Sequence, residues 1–539
     1  MRTLLGSKSA RLSAFCAVSL LSSSLLPAAT FELSKATIPD IHAAVDAGAL
    51  SYEKLVRLCL ARIEAYDQKG PELNSVILVN PAAIEEARAL DAEFKAKGRR
   101  SPLHGIPVLV KDNFDTADMA TTGGAFYLEG SLPPRDGYMI RRLREAGAIM
   151  IAKTNLDELA GGGTGFSSFW GQTKNPHGLD RIPAGSSGGT GAGLAAWFAP
   201  LGLGTDTGGS IRGPSAVNGV PGIKPTNGLL SRAGIIPRTL SFDTGGPMAR
   251  SVYDVALSLG FMTGMDPDDP LTATSAGLFY TDYTPFLKKD ALKGVRVGIM
   301  RAGLGKHAGA DAIFEKAVAD MRALGAVIVD PVAYPSFVTD ANGALSDIIR
   351  AADVPGELDK YLATLKPGYP KTFAEMIALH DALKPKGRVQ PNPRLYNAFK
   401  ALDPEITLDS PIYRSAREHG MQMYRDAVLD TFIRHQLDVV VYCTRAEPAA
   451  LISEAGGGTD RGTVSRGSLT SIANRSGFPD VIVPAGVTPI EKMPISISFF
   501  GPAYSEPRLL AYAYAYEQAT KHLALPASTP ALPGEKFTY

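Results

Sequence analysis

The stretch Gly204-Thr205-Asp206-Thr207-Gly208-Gly209-Ser210-Ile211-Arg212-Gly213 decides how this chain is read. An apolar run from Trp197 to Gly204 leads into it, and the spacing predicts a short helix from Gly209 to Val217. Strand, glycine turn and helix start in succession aim the backbone N–H groups of Thr207, Gly208 and Gly209 at one point just ahead of Ser210. The helix start adds a favourable partial charge for an anion. Asp206 and Arg212 flank Ser210 and are placed to pair across its turn. A second glycine turn lies upstream, Gly185-Ser186-Ser187-Gly188-Gly189-Thr190-Gly191, and Lys111 ends the apolar strand Gly105–Lys111. Glycine leaves a hydroxyl open to approach. A lysine held in a dry place gives up its proton. Together these are a nucleophile and a base that is not histidine.

Other chemistry is poorly provided for. No histidine of the eight (His42, His104, His177, His307, His380, His419, His435, His522) is near Ser210 in sequence, and no His or Cys pair has metal-ligand spacing, so neither a metal nor a cofactor is expected. Gly185-x-Ser187-x-Gly189 satisfies the nucleophile-elbow pattern, but Asn175–Pro183 before it reads as loop where an elbow needs a strand. Ser187 is therefore expected to support the turn by hydrogen bonding. Gly161-Gly162-Gly163-Thr164-Gly165 lacks the lysine of a phosphate loop and is expected to line a cleft.

Working outward, strands are expected at Asn74–Val79, Gly105–Lys111, Ala148–Ala152, Val295–Met300, Val439–Tyr442 and Val481–Val483. Helices are expected at Ser51–Tyr66, Pro81–Lys97, Tyr138–Ala146 and Tyr253–Met262. Alternating strands and helices imply an α/β sheet with helices on its faces. Residues from about 340 to 430 are mostly helical with proline-rich breaks, and read as an insertion forming part of a substrate cleft. One large interrupted domain over 31–539 is expected.

The 539 residues carry 55 basic against 54 acidic side chains, a net charge of +1, so no basic field exists to hold nucleic acid or an anionic membrane. Residues 1–30 differ: Arg2, Lys8 and Arg11 precede the apolar, serine-broken stretch Leu12–Leu26, then Pro27-Ala28-Ala29-Thr30. That pattern reads as a cleaved export signal, giving a periplasmic or secreted protein without stable membrane insertion. Cys59 and Cys443 are then too few for a disulfide framework, and Cys59 falls on an apolar helical pattern as a core thiol.

The motif Gly-Ser-Ser-Gly-Gly, followed by Asp206–Arg212 and Gly222-Ile223-Lys224-Pro225-Thr226, resembles the amidase signature hydrolases. The resemblance is strong from about 40 to 262 and resumes at Asn474–Pro479, at Val483-Pro484-Ala485-Gly486 and at Glu517 in a terminal helix. It departs at Ala184, where glycine is frequent, and at Thr190, where serine is. It implies a large mixed sheet covered by helices on both faces. It also implies a triad: Ser210 as nucleophile, Ser186 as proton bridge with a cis main-chain bond, and Lys111 as base. An oxyanion hole from the N–H groups of Thr207, Gly208, Gly209 and Ser210 would complete it. The implied activity is hydrolysis of a small-molecule carboxamide. Two alternatives remain at this point: the amidase subunit of a tRNA-dependent amidotransferase, and a periplasmic solute-binding protein.

Overall fold

A computed structural model describes residues 29–455 and 469–539. The expected leader through Ala28 lies outside the described residues. Ala29 and Thr30, which the sequence pattern places in the leader, belong to the fold instead. Thr30–Glu32 pairs antiparallel with Lys536–Thr538, and Ala29 and Tyr539 exchange two backbone hydrogen bonds of 2.8 Å.

Eleven strands form one sheet. In chain order they are β1 Val76–Val79, β2 Pro107–Lys111, β3 Ile149–Thr154, β4 Leu201–Asp206, β5 Gly222–Lys224, β6 Thr244–Ala249, β7 Arg296–Met300, β8 Val327–Val332, β9 Val439–Cys443, β10 Asp480–Val487 and β11 Pro494–Phe500. Across the sheet they run β8-β7-β9-β11-β10-β5-β6-β4-β2-β3-β1. Pairing is mixed: β3, β2 and β4 are parallel, as are β8, β7 and β9, while β9-β11-β10-β5-β6-β4 pair antiparallel in turn.

The strands are apolar on both sides because both faces are covered. Along β9, Val439 and Val441 pack into one apolar cluster, while Val440 and Tyr442 pack into another across the sheet. The helices that matter below are α1 Tyr52–Tyr66, α2 Gly188–Ala195, α3 Arg212–Asn218, α4 Val252–Met262, α5 Ser336–Ala363, α6 Phe373–Asp381, α7 Pro393–Lys400, α8 Met421–His435 and α9 Glu506–Thr520. Cys59 on α1 is fully buried in the core, as its spacing predicts. The helical stretch is longer than expected. It begins with α5 at Ser336 and ends with α8 at His435, and part of it builds a separate apolar cluster with Leu128, Leu159 and Ile236.

Candidate active site

The chain enters the site along β2 and β4, which lie side by side and parallel. Lys111 is the last residue of β2 and Thr205 the second last of β4. Burial on a sheet with both faces covered leaves the Lys111 side chain no route to solvent, and it is fully buried. Its Nζ lies 2.8 Å from Ser186 Oγ and 2.7 Å from Thr205 Oγ1. Asn113 Nδ2 donates to the same Thr205 oxygen at 3.1 Å. Burial drives the Lys111 pKa down from 10.5 to about 7, against the opposing charges of Asp157, Asp206 and Asp243. At neutral pH about half of such amines are uncharged. An uncharged amine at 2.8 Å from a hydroxyl is within reach of its proton.

Ser186 is fully buried, and the Gly185–Ser186 peptide is cis. Asp157 fixes this turn: its N–H donates to Ser186 O at 3.1 Å, and its carboxylate accepts the N–H groups of Thr164 at 2.9 Å and Gly165 at 2.8 Å. A side chain at 185 is excluded, since a Cβ there would lie 1.7 Å from Asp157 Oδ2. Ser187 N–H donates to Ser210 O at 3.1 Å, which sets the two serine turns side by side. The Ser187 hydroxyl faces inward, with Thr205 O at 3.2 Å and Thr205 N–H donating to it at 3.3 Å. It pins the end of β4 and is not open to a substrate, which removes the elbow reading. Ser210 is 8% exposed, and its hydroxyl has no hydrogen-bond partner among the described residues. The structure thus joins Lys111 to Ser186 directly and sets Ser210 in the neighbouring turn without a bond between the two hydroxyls.

Asp206 organises the turn before α3. Its carboxylate accepts the N–H groups of Gly209 at 2.7 Å and Ile211 at 2.9 Å. It also accepts Arg212 Nη2 at 2.9 Å and Asn474 Nδ2 at 2.9 Å. Arg212 continues to Asp480 at 3.0 Å, closing a fully buried network. Burial alone would raise the Asp206 pKa, but the Arg212 guanidinium outweighs it and holds the carboxyl well below the usual range.

Two expectations are corrected here. The helix starts at Arg212 rather than Gly209, because Asp206 draws Gly209 into a non-helical turn at φ +129°. A Cβ at 209 would also meet Thr470 Oγ1 at 2.8 Å. For the same reason Gly209 does not present its N–H to the cleft, since Asp206 already accepts it. The N–H groups of Thr207, Gly208 and Ser210 have no acceptor among the described residues, so three donors of the expected four remain beside Ser210.

Sequence reasoning missed Thr205, Asn113, Asp157, Asp243 and Asn474. Asp243 accepts the Thr207 hydroxyl at 2.5 Å and the N–H groups of Arg238 at 2.8 Å and Thr239 at 3.0 Å. Thr205 and Asn474 lie within stretches quoted above, which by itself gives neither a role. The other three carry only a pairing geometry that no local pattern announces. His104 is buried with Nε2 3.0 Å from Leu90 O, a core position. No group of three or more His, Cys, Asp or Glu among the described residues is arranged to hold a metal, and no helix among them is long and apolar enough to cross a membrane.

Comparison with known proteins matches this geometry to a family. The sequence model described as Amidase matches residues 54–510. A subunit of the glutamyl-tRNA(Gln) amidotransferase of Halorhodospira halophila is 34% identical over 505 residues, covering 90% of this chain and 97% of that protein. The solved peptide amidase from Stenotrophomonas maltophilia superposes with a TM-score of 0.83 at 37% identity, over 92% of this chain and 99% of that one. An amidase family protein from Bacillus anthracis gives 0.80 at 30% identity, over 92% of each. The chain belongs to the amidase signature family, mixed α/β hydrolases that act on amide C–N bonds.

Proposed function

We propose that this protein hydrolyses a carboxamide through an acyl-enzyme on Ser210, with Ser186 as proton bridge and Lys111 as base. The observation that carries the reading is the buried amine of Lys111, 2.8 Å from Ser186 Oγ with its pKa lowered to about 7. In the uncharged state Lys111 takes the Ser186 proton, and Ser186 takes that of Ser210 as Ser210 Oγ attacks the carbonyl carbon. The oxygen of the tetrahedral intermediate receives the N–H groups of Thr207, Gly208 and Ser210. Ser186 then gives its proton to the leaving nitrogen and regains one from Lys111, the C–N bond breaks, and water repeats the cycle on the ester. Thr205 accepts a second hydrogen bond from the same amine at 2.7 Å, which helps to fix its position beside Ser186.

The similarity to a solved peptide amidase supports a peptide amide or acylated amine as substrate. The similarity to amidotransferase subunits supports a second reading, glutamine amide transfer in a complex with partner chains. Export through the basic, apolar leader favours the stand-alone enzyme, and family membership leaves the solute-binding alternative without support. The test is labelling of the purified chain with a serine-reactive fluorophosphonate. Label is expected on wild type and Ser187→Ala and absent from Ser210→Ala. Label that persists on Ser210→Ala refutes the nucleophile. Localisation is checked by N-terminal sequencing of the protein recovered from a periplasmic fraction, which should start after the apolar stretch.

A further inference from the structure

Four arginines are buried among the described residues, namely Arg62, Arg212, Arg238 and Arg250. Three have acceptors. Arg62 is paired with Glu535 at 2.9 Å, Arg212 with Asp206 and Asp480, and Arg250 donates to the carbonyls of Leu194 and Ser34 at 2.7 and 2.8 Å. Arg238 differs: it is 9% exposed, Nη1 is buried without a partner, and no acceptor among the described residues is bonded to its guanidinium. Apolar and backbone surfaces meet it. Cζ lies 4.9 Å from the ring centroid of Phe399 on α7 and packs against Gly161, the first residue of the glycine stretch expected to line a cleft. The carboxylate of Asp243 is already engaged by the Arg238 and Thr239 N–H groups and the Thr207 hydroxyl. The charge of Arg350 bears on Arg238 as well, opposed by that of Asp243.

A buried guanidinium with five donors and no acceptor is costly, and burial with the Arg350 charge lowers its pKa to about 9. The same side chain lines a cavity of about 10 Å³, space for the centre of one oxygen-sized atom. Thr205, which holds Lys111, and Thr207, a donor beside Ser210, line the same cavity. The free donors and the catalytic machinery therefore share one wall.

We infer that Arg238 is a substrate-binding residue and that the amide substrate carries a carboxylate, one oxygen of which enters this cavity and accepts from the guanidinium. The inference rests on the amidase reading above and adds a charge to its substrate. A planar fork that meets a carboxylate discriminates strongly against a neutral group of the same shape, by at least about tenfold.

The test compares monoamides of dicarboxylic acids, from succinamate to suberamate, with nitroalkanamides of the same lengths, in which neutral NO2 replaces CO2−. Wild type is expected to prefer the best carboxylate by about tenfold or more in kcat/KM. Arg238→Met should lose that preference, keep kcat/KM on the nitro series, and melt at the same temperature or higher, since it removes an unpaired buried charge at similar volume. Arg238→Lys should retain part of the preference. Equal rates for both series in wild type, or a preference that survives Arg238→Met, overturns the inference. So does an Arg238→Met protein that melts lower and loses both series equally, the mark of a purely structural stack on Phe399. Turnover of the nitro series that rises with chloride in wild type alone would mark a free anion at Arg238 and overturn it too. If neither series is turned over, the amidase reading fails by itself. Calorimetric binding of glutarate or adipate then decides, with binding lost in Arg238→Met in support and no binding to wild type against.

Discussion

Replacing Lys111 by methionine should abolish turnover and stabilise the protein, and the gain should shrink as pH rises. The lysine pKa is about 7 in the folded chain against an ordinary 10.5. Between those values the unfolded chain binds more protons than the folded one, so the wild-type unfolding free energy rises with pH across that window. The cost of keeping this amine in the fold is about 4 kcal/mol at about pH 7 and about 2 kcal/mol at about pH 9. Methionine removes the cost at every pH. It also leaves Ser186 Oγ and Thr205 Oγ1 without the amine, a loss of roughly 1 kcal/mol each. The variant should therefore exceed wild type by roughly 2 kcal/mol at about pH 7 and match it at about pH 9. Urea midpoints of both proteins over that range measure the difference. Lys224, also buried with its pKa lowered to about 7, is present in both and cancels. A stability gap that stays constant or widens with pH refutes the assignment of an amine titrating in this window. The same titration predicts that wild-type kcat/KM rises about tenfold per pH unit below about pH 7 and levels above it.

Thr205→Val should lower kcat about tenfold with little change in KM, because the amine loses its second anchor at 2.7 Å, and Thr205→Ser should restore it. Full kcat in Thr205→Val would show that the amine is aimed without it. Arg212→Met should cost about 3–5 kcal/mol by leaving Asp206 and Asp480 buried without their cation. An unchanged urea midpoint would contradict the network. Tyr396→Phe removes a 2.9 Å bond to Glu158, and hydrogen exchange should quicken in Pro393–Lys400 ahead of the sheet. Uniform exchange would place that contact outside the docking of α7.

The sequence disclosed the site where a residue type is costly in its local setting. A lysine ending an apolar strand and serines in glycine turns are such cases, and the Lys111–Ser186 contact joins two of them. An acid and an arginine six positions apart across a turn are another, and Asp206 and Arg212 do pair. What stayed hidden depends on pairing across distant strands. Thr205 is an ordinary strand residue until β2 and β4 align in parallel and bring its hydroxyl to Lys111. Gly209 looks like one donor in a row, but a carboxylate three residues back turns its N–H inward. Strand β11, Pro494–Phe500, carries the apolar pattern of a buried strand, but the lysine-containing turn before it masks where it begins. Edge strand β8, Val327–Val332, is largely part-exposed and lacks a continuous buried pattern.

The helical insertion is keyed to the sheet by polar bonds as well as apolar packing, and one of these junctions lies next to the serine turn. Tyr396 and Asn392 donate to Glu158 at 2.9 and 3.0 Å, Tyr361 to Asp115 at 2.9 Å, and Ser241 N–H to Asp353 at 2.7 Å. Burial lifts the Glu158 pKa to about 7 despite those donors, so the acid sits in a dry junction where geometry is strictly held. Its chain neighbour is Asp157, whose N–H holds Ser186 O and whose charge acts on Lys111. One residue faces the insertion and the next faces the serine turn, with a single peptide between them. A substitution on α7 that moves Tyr396 therefore moves the support of Ser186 as well, and should alter kcat together with KM.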